Sequence, residues 1–294
     1  MKRLCPYCES IEAASELRSH VIKAGRYRRK SDCRIVQIFK CLTCRKYFSA
    51  ATGHPCFGQK KRQINIKVLR DLASSTSMRR IALNLRVSRT TVLRKLVFLG
   101  VQAELQVHEQ NLTKNKAIEV QFDDMETFEH TKCKPLSITL AAEKGTRRIL
   151  AFEVSQMAAK GKLAKIALKK YGPRKDGRYF GRKKLFQKLE GLVEPTATFE
   201  SDENPYYPKD LKRHFPNAVH ITHKGQRGSI VGQGELKKIR FDPLFSLNHT
   251  CAMFRDNVKR LGRKTWCTTK KPGNLHAHLA IYALFHNNIL LRPP

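Results

Sequence analysis

The chain has 294 residues, of which 58 are Lys or Arg and 24 are Asp or Glu, giving a formal net charge of +34. This length allows more than one domain with a sizeable core, and this charge makes a polyanion the expected partner, nucleic acid first and an anionic membrane second. No apolar run approaches the ~20 residues that span a bilayer, and the start, MKRLCPYC, is not an apolar signal segment, so we expect an intracellular protein.

Nine cysteines are present, and six of them lie within the first 58 residues. An odd number of cysteines without a secretion signal favours reduced thiols or metal ligands over a disulfide framework. Two pairs have the CxxC spacing, in Cys5-Pro-Tyr-Cys8 and Cys41-Leu-Thr-Cys44. The segments CRIVQIFK and KYFSA, which lead into and follow the second pair, are predicted strands.

Two such pairs supply four thiolates, which close a tetrahedron around one Zn²⁺ and leave no position open for a substrate. We therefore predict that residues 1–58 form a zinc ribbon, a small β domain that folds around a structural zinc ion. Its ligands would be Cys5, Cys8, Cys41 and Cys44. The alternative is that these cysteines are buried and bind no metal.

Residues 59–107 have apolar residues at helical spacing, which predicts an all-α block. Within it, SMRRIALNLRVSRTTVLRKLVFLG predicts a helix, a short turn and a second helix, with Ser77 and Ser88 as N-caps. We interpret this as a helix-turn-helix DNA-binding domain, although Arg86 and Val87 stand in the turn where Gly is usual. The alternative is a helical hairpin with a solvated basic face. The second helix would reach the major groove through the residues of its first turns, Arg89, Thr90, Thr91 and Arg94.

The polar segment 108–115 is predicted to be a linker, and residues 116–294 to form a block that begins with strands at AIEVQF, LSITLAAE and RRILAFEVSQ. The first strand is predicted to end at Asp123, and the short strand ATFE to end at Asp202. Carboxylates at neighbouring strand ends can hold two divalent ions, ~3.5–4 Å apart, for phosphodiester chemistry, and Mg²⁺ suits such oxygen ligands. The alternative is that each aspartate only ends its strand before a turn.

Near the C-terminal end, the stretch LFSLNHTCAMFRDNVKRLGRKTW is predicted to be one basic helix. Asn248 and Arg255 are seven residues apart in it, which is about two helical turns. Their side chains should therefore project from the same face.

Several stretches together resemble the DDE-type insertion-sequence transposases: CPYC with CLTCRKYFSAATG, VQFDDMETF, TFESDENPYYPKDL, NHTCAMFRDNVKRLGRKT and HLAIYALFHNN. They cover nearly the whole chain and are most similar to a branch that has a zinc ribbon, then a helix-turn-helix, then a catalytic domain. The resemblance implies a multidomain protein in which residues 116–294 form an α/β ribonuclease H-like catalytic domain with a mixed sheet.

The resemblance also implies the roles of individual residues. Two acids and an amide would bind the catalytic Mg²⁺ ions, and a basic residue would follow them, which is the pattern written D-D-N-K. The matching residues are Asp123, Asp202, Asn248 and Arg255. Lys259 and Arg263 would line DNA phosphates together with Arg255.

The third position has Asn where Glu is usual, and two interpretations stay open. The amide oxygen of Asn248 can ligate Mg²⁺, although it brings no negative charge. The site would then be active with a neutral third ligand. In the other interpretation a former Glu has been lost, and only DNA binding remains.

We thus expect a bacterial, cytoplasmic and nucleoid-associated transposase that needs structural Zn²⁺ and two catalytic Mg²⁺ ions. Its partners would be double-stranded DNA, both inverted-repeat ends and target, and further copies of itself in a dimer or larger synaptic complex, with no membrane. The alternatives are a catalytically inactive, transposase-derived DNA-binding protein or regulator, and a nuclease that cuts without rejoining.

Overall fold

The computed structural model describes residues 4–8, 20–30, 32–224, 242–262 and 271–291. Contacts between residues divide the chain into two compact units, one that ends at Asn65 and one that begins at Ile66. The predicted limits of the three domains stay predictions.

The first unit contains a small antiparallel sheet, with β1 at Val21–Arg28, β2 at Ile35–Cys41 and β3 at Tyr47–Ser49, in the order β1-β2-β3. The last two strands confirm the prediction for the segments around the second cysteine pair. Among the described residues of this unit the hydrophobic cluster is small, and its buried members are Cys5, Phe39, Cys41 and Phe48. A core of this size contributes little free energy of folding, which is the usual situation in domains that need a bound metal.

Helices follow along the chain, with α1 at Asn65–Ala73, α2 at Met78–Asn84 and α3 at Arg89–Leu112. Both predicted N-caps are confirmed: Ser77 Oγ accepts from the Arg80 N–H at 3.3 Å, and Ser88 Oγ accepts from the Thr91 N–H at 3.1 Å. Arg86, in the turn between α2 and α3, has φ +48°, the left-handed region that favours glycine.

A mixed five-stranded sheet lies in the second unit, with β4 at Ala117–Phe128, β5 at Pro135–Glu143, β6 at Ile149–Gln156, β7 at Val193–Asp202 and β8 at Val219–His223. The order is β6-β5-β4-β7-β8, so β4 is the central strand. It pairs antiparallel with β5 and parallel with β7, while β5–β6 is antiparallel and β7–β8 is parallel. The mixed sheet confirms that part of the predicted fold class.

The described residues also form α4 at Lys162–Tyr171, α5 at Arg178–Leu189, α6 at Tyr207–His214, α7 at Phe245–Asn257 and α8 at Pro272–Phe285. Alternate residues of β4 project to opposite faces of the sheet. Phe122 contacts Phe186 of α5 and Tyr207 of α6, with ring centroids 5.4 and 4.9 Å apart. Its neighbour Gln121 instead bonds to the start of α7. None of the described helices has the length and apolar character needed to cross a membrane.

The helix α3 extends beyond its predicted end, and the predicted linker over 108–115 is wrong for residues 108–112. Asn111 is buried in this last turn, where its Nδ2 donates to the main-chain oxygens of Ile149 and Leu150, at 3.1 and 3.2 Å. The polar sequence concealed this packing because a polar side chain can be buried when backbone groups satisfy its hydrogen bonds.

Two further predicted ends differ from the structure. β4 continues past Asp123, which pairs with Leu140 of β5 and so lies inside the strand, whereas Asp202 is the last residue of β7, as predicted. The long C-terminal helix is wrong for residues 258–262, and its remaining residues, 263–266, lie outside the described residues. Val258 leaves the helical region at φ −96° and ψ 97°, and its side chain is fully buried.

We predict that Gly100→Ala destabilises the second unit, because a Cβ on Gly100 of α3 would lie 2.4 Å from the Cβ of Ala277 in α8. Overpacking of this kind costs about 1–3 kcal/mol. Urea denaturation would measure it.

The matched control is Gly273→Ala in α8, where nothing lies within 4 Å of the new Cβ. This change should stabilise the helix slightly or be neutral. Equal stability of the two variants would contradict the close packing of α3 on α8.

Candidate functional site

Four thiols converge in the first unit. The sulfur atoms of Cys5, Cys8, Cys41 and Cys44 all lie within 4.8 Å of one another. The Cys5–Cys44 and Cys8–Cys41 sulfur pairs are 3.6 and 3.7 Å apart. A tetrahedral zinc ion with Zn–S bonds of about 2.3 Å requires sulfurs about 3.8 Å apart. The cluster therefore fits the predicted zinc ribbon.

The turn at the second cysteine pair favours the thiolate form that binds metal. The backbone N–H of Cys44 is the main cause that lowers the pKa of Cys41 to about 6. Cys33 and Cys56 lie outside the four-thiol group.

We predict that the purified chain binds one zinc ion and that Cys41→Ser abolishes this binding, since three thiolates and a hydroxyl hold zinc poorly. Metal analysis of reduced protein measures the stoichiometry. Cys33→Ser, at an exposed cysteine outside the cluster, is the matched control and should keep its zinc. A wild-type protein with reduced thiols and no zinc would refute the assignment.

The two predicted catalytic acids lie on adjacent parallel strands. The last paired residues of β4 and β7 are Gln121 and Glu200. Asp123 and Asp202 each follow two residues later, about 6.6 Å further along their strands. The pairing register thus brings the two carboxylates to the same level of the sheet.

The electrostatics of Asp123 agree with a nearby Asp202. Burial is the main cause that raises the pKa of Asp123 to about 7, and the charge of Asp202 is the next. The Tyr207 hydroxyl opposes this shift by donating to Asp123 Oδ1 at 3.1 Å. The pKa of Asp202 is also raised, again mainly by burial. Two partly buried carboxylates that repel each other are stabilised when a divalent cation binds between them, and their oxygen atoms suit Mg²⁺.

The helix α7 carries Asn248 and Arg255, both exposed, on the same side as Cys251. Burial raises the pKa of Cys251 to about 12, while the charge of Arg255 lowers it and that of Asp123 raises it. Cys251 is therefore near both charges. The structure thus brings α7 to the face of the sheet that carries Asp123.

Asn248 has a defined orientation. Its Nδ2 donates to Asp242 Oδ2 at 2.8 Å, and Asp242 Oδ1 accepts from the N–H of Leu244 at 3.0 Å. An amide that donates through nitrogen to this carboxylate presents its oxygen on the other side. Asn248 Oδ1 is thus the atom with which this side chain could bind a metal.

Sequence reasoning missed Tyr207, Asp242 and Gln121. Tyr207 follows Asp202 by five residues, and Asp242 precedes the helix of Asn248 as a capping residue would. Neither signal identifies a function without the fold. Asp124, next to Asp123, accepts from Thr139 Oγ1 at 2.5 Å, and its charge also raises the pKa of Asp202.

The predicted DNA-binding residues occupy two regions. Arg89, Thr90 and Arg94 are exposed in the first turns of α3, and Thr91 is half-buried with its hydroxyl 2.9 Å from that of Ser88. Lys259 is half-buried in the 3₁₀ turn Lys259–Leu261, beyond the end of α7. Arg263 lies outside the described residues. Their DNA contacts stay predictions.

Comparisons with known proteins leave the family open. No family model matches the chain, and no curated protein matches it. Among solved structures, a chain from the crystal structure of the Mos1 strand transfer complex aligns over 78% of this chain and 78% of its own length. The identity is 10% and the TM-score 0.25. A similarity this weak carries no argument about fold or function.

We predict that, without Mg²⁺ and with zinc retained, the contribution of Asp123 to the free energy of unfolding falls as the pH rises from about 4 to about 7. Asp123 holds its proton up to a pKa of about 7 in the folded chain, against 3.8 as the ordinary value. Over this interval the folded state binds the extra proton, so stability is lost as that proton leaves. The size is about 1.4 kcal/mol for each pKa unit.

Urea denaturation at a series of pH values measures this slope. Asp123→Asn is neutral at every pH, so the difference in stability between the wild type and this variant should fall over the same interval. The opposite contribution of His278, whose pKa is lowered by burial to about 4, cancels in this difference. An unchanged slope in the variant would show that Asp123 titrates normally.

Proposed function

We propose that the chain is a DDE-type transposase that binds the terminal inverted repeats of an insertion sequence and catalyses Mg²⁺-dependent strand cleavage and strand transfer. One observation carries this proposal. Asp123 and Asp202 stand at the same level on adjacent parallel strands, and the charge of one raises the pKa of the other.

In this proposal Asp123, Asp202 and Asn248 hold the catalytic ions through oxygen atoms. Bound Mg²⁺ would supply activation of a water or 3′-hydroxyl and stabilisation of the leaving oxygen. Asp123 must lose its proton for this, and the Tyr207 hydroxyl favours the charged form because it donates to Oδ1. Arg255, two turns beyond Asn248, would bind a DNA phosphate beside the reacting bond.

The charge and the folds agree with a DNA substrate. A net charge of +34 favours a polyanion, and Arg89 and Arg94 are exposed at the start of α3, where they would contact an element end. In the mixed sheet, β4, β5 and β6 are antiparallel to their neighbours, and β7 and β8 are added in parallel. This arrangement is compatible with the ribonuclease H-like fold. Since two ends must be cut in concert, the working form would be a dimer or larger complex.

The bond between Asn248 and Asp242 supports an active third position. A residue left over from a lost Glu would need no defined orientation, whereas this amide is held by a carboxylate at 2.8 Å. The nearby negative charge also compensates for the charge that Asn itself lacks.

Strand cleavage and joining on a labelled duplex that carries an inverted-repeat end, with Mg²⁺, tests the proposal. Asp123→Asn and Asp202→Asn should each reduce the rate of both steps at least about a thousandfold, since electrostatic stabilisation at such centres contributes several kcal/mol. Binding to the duplex, measured by gel shift, should be unchanged.

The matched control is Glu126→Gln, at an exposed acid of β4 that pairs with Lys160. It should cut and join like the wild type. Cleavage by either aspartate variant at the wild-type rate would mean that the catalytic acids are others.

The neutral third position keeps a second function open, that of a transposase-derived regulator that only binds DNA. A wild-type protein that binds the duplex but neither nicks nor joins it would favour this function. Cutting without joining would favour a nuclease.

A further inference from the structure

Gln121 is a buried side chain whose hydrogen bonds connect three elements. It lies on β4 with 1% of its surface exposed. Its Nε2 donates to Glu200 Oε2 of β7 at 2.7 Å and to the main-chain oxygen of Pro243 at 2.8 Å. Its Oε1 accepts from the N–H of Leu247 in α7 at 3.0 Å. Both ends of the amide are therefore used, in three bonds.

Each of these positions is next to a predicted ligand. Gln121 precedes Asp123 by two residues, so both project from the same face of β4. In β7, Glu200 likewise precedes Asp202 by two, and in α7 Leu247 directly precedes Asn248. One amide thus connects the three segments that carry Asp123, Asp202 and Asn248.

The bond to Leu247 fixes the start of α7 on the sheet. The first N–H groups of a helix have no partner within the helix, and Leu247 is the third residue of α7. Gln121 supplies that partner from the central strand. Without this bond, α7 would keep its apolar packing but would lose the hydrogen bond that fixes its position along β4.

Glu200 forms an ion pair within this network. Its other oxygen, Oε1, receives Lys144 Nζ at 2.7 Å, and this bond is the main cause that raises the pKa of Lys144. Lys144 also pairs with Glu119 at 3.0 Å. A charged acceptor strengthens the bond from Gln121.

We propose that Gln121 is the positioning residue of the divalent-metal site, setting the distance of Asn248 from the two aspartates. This inference rests on the proposed function for the identity of the ligands. A side chain that only filled space in this position would be apolar, since a buried amide costs free energy unless all its groups are bonded.

Mn²⁺ titration followed by electron paramagnetic resonance tests this directly, using the full chain loaded with zinc. Mn²⁺ prefers the oxygen ligands of Mg²⁺ and competes weakly for thiolates. Asp123→Asn identifies the fraction of Mn²⁺ bound at this site. Gln121→Met keeps the volume of the side chain but none of its hydrogen bonds, and should weaken that binding about 10–100-fold, the usual effect of losing a residue that orients metal ligands.

The matched control is Asn111→Leu. Asn111 is also a buried amide, bonded to the main chain of Ile149 and Leu150 but not to any element of the site. This variant should lose about as much thermal stability as Gln121→Met but should keep its Mn²⁺ affinity. Should Gln121→Met not fold, Gln121→Asn keeps the amide but is one methylene too short for all three bonds, and the same weakening is expected.

Wild-type affinity in a folded Gln121 variant overturns the inference. An equal loss of Mn²⁺ affinity in Asn111→Leu also overturns it. So does Mn²⁺ binding that is the same in Asp123→Asn as in the wild type. Cleavage is scored separately. If Gln121→Met binds Mn²⁺ more weakly but the wild type does not cut DNA, the inference holds and the proposed function is wrong. If the wild type cuts DNA but Gln121→Met binds Mn²⁺ normally, the proposed function holds and the inference is wrong.

Discussion

The parallel pairing of β4 with β7 is the constraint on which the candidate active site depends. The register sets Gln121 opposite Glu200 and so carries Asp123 and Asp202 to the same level. Burial then raises the pKa of both carboxyls. A sheet that buries two acids side by side loses free energy unless a proton or a cation compensates them, and this is the physical reason to look for metal-dependent chemistry here.

The position of α7 depends on the same pairing. Gln121 reaches the N–H of Leu247 only because β4 holds it beneath the first turn of the helix. Asp242 then orients Asn248 from the preceding residues. Chain segments more than a hundred residues apart thus meet through Gln121, and the neutral third position has the negative charge of Asp242 next to it.

Local sequence signals predicted the local features of this structure. Serines 77 and 88 stand before helical periodicity and are N-caps, and the alternating apolar residues of AIEVQF and LSITLAAE form β4 and β5. The two CxxC spacings predicted a thiol cluster because four sulfurs at one ion need little more than two short turns. The capping bonds join residues three apart, and each CxxC turn is equally local, although the two turns are more than thirty residues apart.

Features that depend on distant contacts could not be predicted in this way. The polar end of α3 is helical because Asn111 finds backbone partners in β6. α7 ends at Asn257, and Val258 leaves the helical region with its side chain buried among residues that the local sequence does not reveal. The bonds of Gln121 and Tyr207 join residues that only the sheet brings together. The sequence therefore predicted which acids to consider, but not what holds them.

The central claim is that β4, β7 and α7 assemble one divalent-metal site. Anomalous X-ray diffraction from crystals grown with Mn²⁺ tests it most directly. We predict a Mn²⁺ peak bonded to carboxylate oxygens of Asp123 and Asp202, with Asn248 Oδ1 as the third protein ligand. Crystals saturated with Mn²⁺ that have no peak at these aspartates would contradict it.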